Sequence, residues 1–373
     1  MGKVSWKDPS YFVNEIFVEE SCVELEYTKE ILERAQLPWF VVPDRGKPND
    51  LDDEYVHNLS AGKKQLFLCR NRGQFFKPCP GTREYQCCDY QVLNTGANCP
   101  IDCVYCILQA YLNSPWLIHY VNTEQLFAEL KQPLSKSGGP FYRIGTGEFT
   151  DSLALDRITK LSSQLVPFVA KSENAILELK TKSGVIENLE HLDHRGKTVI
   201  AWSLNSPLVM KEQEIRSATL DERLEAAGKC AQWGYKLAFH FDPIIEYSGW
   251  QDAYVETIER LYSAVPAESI VWISLGALRY LPKLKEIGAL RFPSSRIYFN
   301  EFILGLDGKQ RYFRPSRTAM YSHIYKSLKE KAADNTCIYF CMESDEIWQE
   351  VMGFTPKEKG GLPKMLDDAV QFA

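Results

Sequence analysis

Three cysteines spaced C-x3-C-x2-C, in Asn98-Cys99-Pro100-Ile101-Asp102-Cys103-Val104-Tyr105-Cys106, are the residues best suited to unusual chemistry. Three thiolates on one short loop can each take a different iron of a cubane [4Fe–4S] cluster. A structural zinc site would want four ligands, usually as two separated pairs. The fourth iron of the cubane keeps an open coordination position for a small molecule. A free cysteine is often just a small buried hydrophobe, but three at this spacing argue for a metal centre.

Other residues could complete such a site. In Gly145-Thr146-Gly147-Glu148 the glycines let backbone approach a ligand closely, and Glu148 can accept hydrogen bonds from an ammonium group. A glycine turn carrying a solvated Glu is the plainer reading. Lys182, Ser203 and Asn205 follow apolar runs and are read either as ligand contacts or as rim residues. His240 and Asp242 are read as packed residues rather than catalysts. Upstream, Cys69, Cys79, Cys87 and Cys88 could hold a second iron–sulfur cluster or a zinc. Their irregular spacing, with two adjacent cysteines, equally suits scattered reduced thiols. Cys337 and Cys341 alternate with apolar residues, as in a buried strand. Lys309, Arg311, Arg314 and Arg317, with Tyr312 and Phe313 interleaved, follow an Asp307-Gly308 turn, which predicts a basic hairpin. It is read either as a grip on a nucleic-acid backbone or as a solvated face.

The elements that must position these residues are legible as apolar runs at 90–95, 141–145, 175–181, 198–205, 236–244 and 269–277, with helical stretches between them. One helix follows Asn122, one follows Asp151, and one opens at Thr219 with Glu222 at capping-box spacing. Runs such as Val199-Ile200-Ala201-Trp202 barely alternate, which predicts strands buried on both faces in a parallel sheet. Six successive β/α units predict a partial parallel (β/α)6 barrel. Chemistry in such barrels sits at the C-terminal ends of the strands. That places Asn94-Thr95-Gly96, Gly145–Glu148, Thr181-Lys182, Ser203–Asn205 and His240–Asp242 around one mouth. Residues 15–42 read as strand, helix and strand, and 43–53 as a linker.

We divide the chain into a small N-terminal α/β domain (1–66), a cysteine-containing connecting segment (67–87), the partial barrel (88–285) and a C-terminal extension with the basic hairpin (286–373). The 373 residues are 45% apolar and 25% charged, as in ordinary globular proteins. Their net charge of −6 argues against strong non-specific nucleic-acid binding, though not against a local basic groove. Met1 to Trp6 lack the apolar core of a secretory signal, and no apolar run reaches bilayer-spanning length, so a cytoplasmic protein without membrane partners is expected. Eleven cysteines in that compartment are expected to stay reduced.

The C-x3-C-x2-C loop with Tyr105 before its last cysteine resembles the radical S-adenosylmethionine (SAM) superfamily. Gly145–Glu148 is similar to the superfamily's GGE motif, which binds the amino group of SAM. That resemblance implies a radical SAM barrel in which SAM chelates the fourth iron of a [4Fe–4S] cluster. One electron then cleaves SAM to methionine and a 5′-deoxyadenosyl radical. It also implies cofactor-binding roles for Tyr105, Gly145, Gly147, Glu148, Lys182, Ser203 and Asn205, and an electron donor such as flavodoxin or ferredoxin.

A narrower likeness rests on Cys106-Ile107-Leu108-Gln109, Tyr120-Val121-Asn122, Thr150-Asp151, Thr181-Lys182, Gly196-Lys197-Thr198, Ser203-Leu204-Asn205, Leu220-Asp221-Glu222-Arg223 and Gly249-Trp250. In order and spacing these resemble spore photoproduct lyase and its relatives over roughly residues 10–330. In that family the radical reverses a methylene-bridged thymine dimer in DNA, and a cysteine helped by two tyrosines returns a hydrogen atom. By this likeness Tyr105 and Glu148 occupy catalytic positions. Glu148 stands where the donor cysteine is expected, and Ile107 stands where the second tyrosine is expected. A carboxylate cannot donate a hydrogen atom as a thiol can, and a replacement donor among Cys337 and Cys341 is the lesser reading of that pair beside a buried strand. Radical chemistry on a nucleic-acid base or DNA photoproduct is therefore kept beside radical chemistry on a small molecule or peptide. A non-catalytic DNA- or metal-binding protein is the reading from another class.

Overall fold

The computed structural model describes residues 6–47, 55–82, 84–135 and 138–371. The linker read at 43–53 lies partly outside the described residues.

Seven parallel strands build the main sheet: β1 (Gln91–Leu93), β2 (Tyr142–Gly145), β3 (Ala175–Thr181), β4 (Thr198–Ser203), β5 (Lys236–Ile244), β6 (Ile270–Ala277) and β7 (Cys337–Phe340). Each pairs in parallel with the next, so the spatial order follows the chain. Strand Phe76–Pro78 caps the β1 edge antiparallel. Among the described residues the two edges do not pair with each other, so the barrel is partial. Six of these strands match the apolar runs. The seventh, β7, comes from the segment assigned to the C-terminal extension.

Every residue of β4 and β6 is buried, which is why neither run alternates. Helices cover the outer face. Helix Leu220–Gln232 opens on the expected capping box, with Thr219 N donating to Glu222 Oε2 at 2.8 Å and Glu222 N donating to Thr219 Oγ1 at 3.4 Å. Such a cap stabilises by about 1 kcal/mol. Its Leu224, Ala227 and Cys230 are buried in the core that includes β4 and β5. Helices Thr123–Leu134 and Ser162–Val169 fill the stretches expected after Asn122 and Asp151.

A second sheet orders its strands Trp39–Val42, Glu15–Glu19, Gln65–Cys69, Leu117–Tyr120 and Gly96–Ala97. The first four are parallel and the last is antiparallel. The predicted strand–helix–strand is present, with helix Glu26–Ala35 between its strands. The boundary drawn at 66/67 falls inside strand Gln65–Cys69, and two strands of this sheet come from the barrel segment. The loop between β1 and β2 thus welds the two sheets together.

Candidate functional site

The cysteine loop is held from several sides. Asn98 adopts left-handed backbone (φ 69°), which asparagine tolerates better than most residues. Its Oδ1 accepts from Cys99 N at 2.9 Å, and its Nδ2 donates to Pro115 O at 2.9 Å. Asp102–Cys103 then pairs antiparallel with Glu214–Ile215, and Val104 N donates to Gln213 O at 2.8 Å. Beneath the loop the buried Asp102 carboxylate sits 3.1 Å from Lys63 Nζ and 2.8 Å from Arg291 Nη2. Burial would raise the Asp102 carboxyl, but Lys63 and Arg291 hold it below its ordinary value. Burial pulls Lys63 down, yet Asp102 and the nearby Cys106 and Cys99 hold it above its usual range. A fixed cation beside two thiols favours thiolate ligands.

Burial pushes the Cys99 and Cys103 thiols up, so deprotonation there must accompany metal binding. Cys99, Cys103 and Cys106 are close enough to one another for charge on one to disfavour charge on the next. Among the described residues no three His, Cys, Asp or Glu side chains converge as they must on a single metal ion. A cubane takes each thiolate on a separate iron, so its ligands surround it rather than meet at a point. Three thiolates on one loop are the donor set such a cluster takes.

All three thiols line one cavity of about 730 Å³ at the C-terminal ends of the strands. Tyr105, Gly147, Glu148, Lys182 and Ser203 line it too. Tyr105 is buried, its hydroxyl donates to Glu214, and Lys182 Nζ lies 5.9 Å from its ring centroid. Burial lowers the Lys182 pKa, but Cys103 and Glu214 outweigh it and keep the ammonium charged. Asp151 fixes this strand end: its Oδ1 accepts from Thr181 Oγ1 at 2.7 Å and its Oδ2 from Lys182 N at 2.8 Å. Arg223 donates to Ser203 O at 2.6 Å and to Glu214, tying β4 to the cysteine loop. Glu148 is exposed at the rim.

Some expected contacts lie elsewhere. Gly145 does not line the cavity; a Cβ there would fall 1.3 Å from Tyr90 Oη, so packing explains the glycine. Asn205 is also off the wall, with Nδ2 donating to Pro243 O at 2.8 Å and Oδ1 accepting from Tyr254 Oη. Asn94-Thr95-Gly96 turns away into the second sheet, where Gly96 pairs with His119. His240 is held on both ring nitrogens, 2.8 Å from Glu178 Oε1 and 2.7 Å from Ser274 Oγ.

Cys69 is separated from the other upstream thiols. It is buried among Phe17, Val42, Phe67 and Trp116 in the second sheet, so the four do not form one site. The predicted hairpin is present, Phe302–Leu304 pairing with Gln310–Tyr312, but most of its charges point inward. Arg311 is buried 2.7 Å from Asp307, Arg317 lies 3.3 Å from Glu343, and Lys309 turns into the cavity. Arg314 is exposed and pairs with Glu350 at 2.8 Å. Buried acids compensate Arg311 and Arg317, so the run is not a uniformly solvated basic face.

Arg279 lines the cavity without having been read as a site residue; Cys79 and Lys309, read for a second metal site and a nucleic-acid grip, and Cys341, read first as a strand residue, line it too. Cys341 was findable: once Cys337–Phe340 is counted as a barrel strand, the next residue falls at the mouth. Cys79 and Lys309 arrive on connecting segments whose paths have no local signature.

The family model described as spore photoproduct lyase matches residues 52–344. A spore photoproduct lyase of Geobacillus sp. is 26% identical over 241 residues, covering 64% of this chain and 69% of the relative. One from Bacillus subtilis is 27% identical over 237 residues, covering 63% and 67%. In fold, the chain is similar to a mutant spore photoproduct lyase solved with bound AdoMet and dinucleoside spore photoproduct. The TM-score is 0.78 at 20% identity, covering 89% of this chain and 99% of the other.

Proposed function

Because the chain belongs to the spore photoproduct lyase family of radical SAM proteins, we propose that it cleaves SAM reductively at a [4Fe–4S] cluster held by Cys99, Cys103 and Cys106 and acts on a DNA photoproduct. The observation carrying this is that the three thiols share one cavity with Glu148, Lys182 and Ser203. When bound, cluster and SAM supply a 5′-deoxyadenosyl radical that takes a hydrogen atom from substrate. The chain's residues bind and orient. Glu148 would receive the amino group of SAM, Lys182 its carboxylate and Ser203 its ribose, with Gly147 giving backbone access. Tyr105, fixed through Glu214, forms part of the wall and keeps Lys182 in place. The interlocked Asp102, Lys63 and Arg291 hold the ligand loop rigid without touching the ligand.

A one-electron carrier of the flavodoxin or ferredoxin class is the proposed reductant, and the cytoplasm the proposed compartment. No helix among the described residues is long and apolar enough to cross a membrane. Glu148, a carboxylate without a transferable hydrogen atom, favours a second reading: radical chemistry on a small molecule or peptide.

The test is anaerobic reconstitution with iron and sulfide, then SAM, dithionite and a dinucleotide carrying the methylene-bridged thymine lesion. Formation of 5′-deoxyadenosine together with restored thymines is expected. 5′-Deoxyadenosine without repair would favour the second reading, and bound zinc with no SAM turnover would favour a non-catalytic protein.

A further inference from the structure

A carbon radical made in this cavity must receive a hydrogen atom before product can leave, and Glu148 has none to give. Thiol S–H bonds are weak enough to supply one, and only the protonated thiol carries it. Beyond the three ligand cysteines, two thiols line the cavity: Cys79 and Cys341. Both also face a smaller adjoining chamber of about 110 Å³.

The two are held differently. Cys79 directly follows the three-residue edge strand Phe76–Pro78, its backbone N donating to Tyr90 O at 2.8 Å. Cys341 directly follows β7, and its backbone N continues the ladder by donating to Leu275 O at 3.0 Å. Its Sγ accepts from Arg279 Nη2 at 3.5 Å, and Arg279 is clamped 2.9 Å from Asp242 at the end of β5. Hydrogen-atom transfer needs a donor at a short, reproducible distance, and at Cys341 the clamped Arg279 fixes the sulfur itself.

We propose that Cys341 is the hydrogen-atom donor of this enzyme, supplied by the seventh barrel strand in place of a thiol at Glu148. The assignment rests on the reading of the cavity as a SAM radical site. In the step, the S–H bond breaks homolytically and a C–H bond forms on the product radical, leaving a thiyl radical on Cys341. One electron from the carrier class that reduces the cluster, with a proton from solvent, restores the thiol. Burial pushes the Cys341 thiol up to about 11, so at neutral pH it holds its hydrogen. Cys87 is held down by a hydrogen bond from Cys88 and is the poorer donor.

The test uses the methylene-bridged thymine dinucleotide as substrate. Reconstituted holoenzyme is turned over with SAM, dithionite and that dinucleotide in D2O, where the Cys341 thiol becomes S–D, and the repaired product is analysed by mass spectrometry. Wild type is expected to place one deuterium in the product, Cys341→Ser to lose that label several-fold, and Cys79→Ser to keep it; an unlabelled wild-type product overturns the assignment. An unchanged label in Cys341→Ser overturns the assignment alone. A wild type that forms no 5′-deoxyadenosine overturns the SAM reading and the assignment with it. Independently of turnover, iodoacetamide at alkaline pH should label Cys341 in the metal-free wild type and spare the fully buried Cys230. A Cys341 as inert as Cys230 would overturn the proposal even if the variants failed to fold.

Discussion

Two cysteine-rich stretches lie close in this chain, and they are built differently. In Cys99–Cys106 the backbone is paired to Glu214–Ile215, Gln109 Nε2 donates to Cys103 O at 3.0 Å, and Tyr298 Oη donates to Val104 O at 2.9 Å. A buried acid between two buried cations lies underneath. In Cys79–Cys88, Cys87 is exposed and Gly81 is left-handed, with Cys87 Sγ 3.2 Å from where its Cβ would be. Among the described residues, contacts from separate elements, such as Cys79 N to Tyr90 O at 2.8 Å, Gln86 N to Glu343 O at 3.2 Å and Arg143 to Cys88 O, tie that stretch down without an underlying ion cluster like that of Asp102. Thiol density alone does not make a site. A framework that fixes the ligands before the metal arrives does.

The largest expected effect breaks the first stretch outright. Cys103→Ala should abolish iron uptake and 5′-deoxyadenosine formation, whereas Cys87→Ala should retain both. Equal losses, measured by iron content and product, would erase the contrast. Next, Lys63→Met removes one cation from a buried group and should cost about 3 kcal/mol in denaturant unfolding, since breaking buried pairs costs roughly 3–5 kcal/mol and Arg291 still compensates Asp102.

The pH dependence follows from the same pair. The folded carboxyl of Asp102 is depressed, so the stability it contributes is present at neutral pH and lost as pH falls through its folded value, below 3.8. The urea midpoint of wild type should drop in that range, and Lys63→Met should flatten the drop. In the looser stretch, Cys87 should alkylate several-fold faster than Cys88 near neutral pH, because a hydrogen bond from Cys88 holds it below its usual value. Equal rates would show that the pair is not locked. The smallest effect belongs to the hairpin: Arg314→Gln breaks an exposed pair with Glu350 and should change stability by about 0.2–1 kcal/mol in thermal unfolding.

The hairpin also marks where reading the sequence stops. Asp307-Gly308 places the turn, but the sequence cannot say that Arg311 meets Asp307 and that Arg317 meets Glu343 inside the protein. Four nearby positive charges look solvated until their distant partners are known. Gly145 and Gly147 illustrate the same limit. Both allow close approach, yet at Gly145 the approaching group is Tyr90, and only Gly147 opens onto the cavity.

The sequence by itself determined what short-range covalent geometry and hydrophobic periodicity can fix. That comprises three thiols on one loop, the capping box at Thr219, and six strands apolar on both faces. Tertiary structure alone decided which distant residues meet. Strand order brings β7 against β6 and so delivers Cys341 to the wall that Cys79 reaches from the other end of the chain. Residues a few positions apart are confined by bond lengths and torsions. Residues hundreds apart are confined only by how the sheet closes around its core.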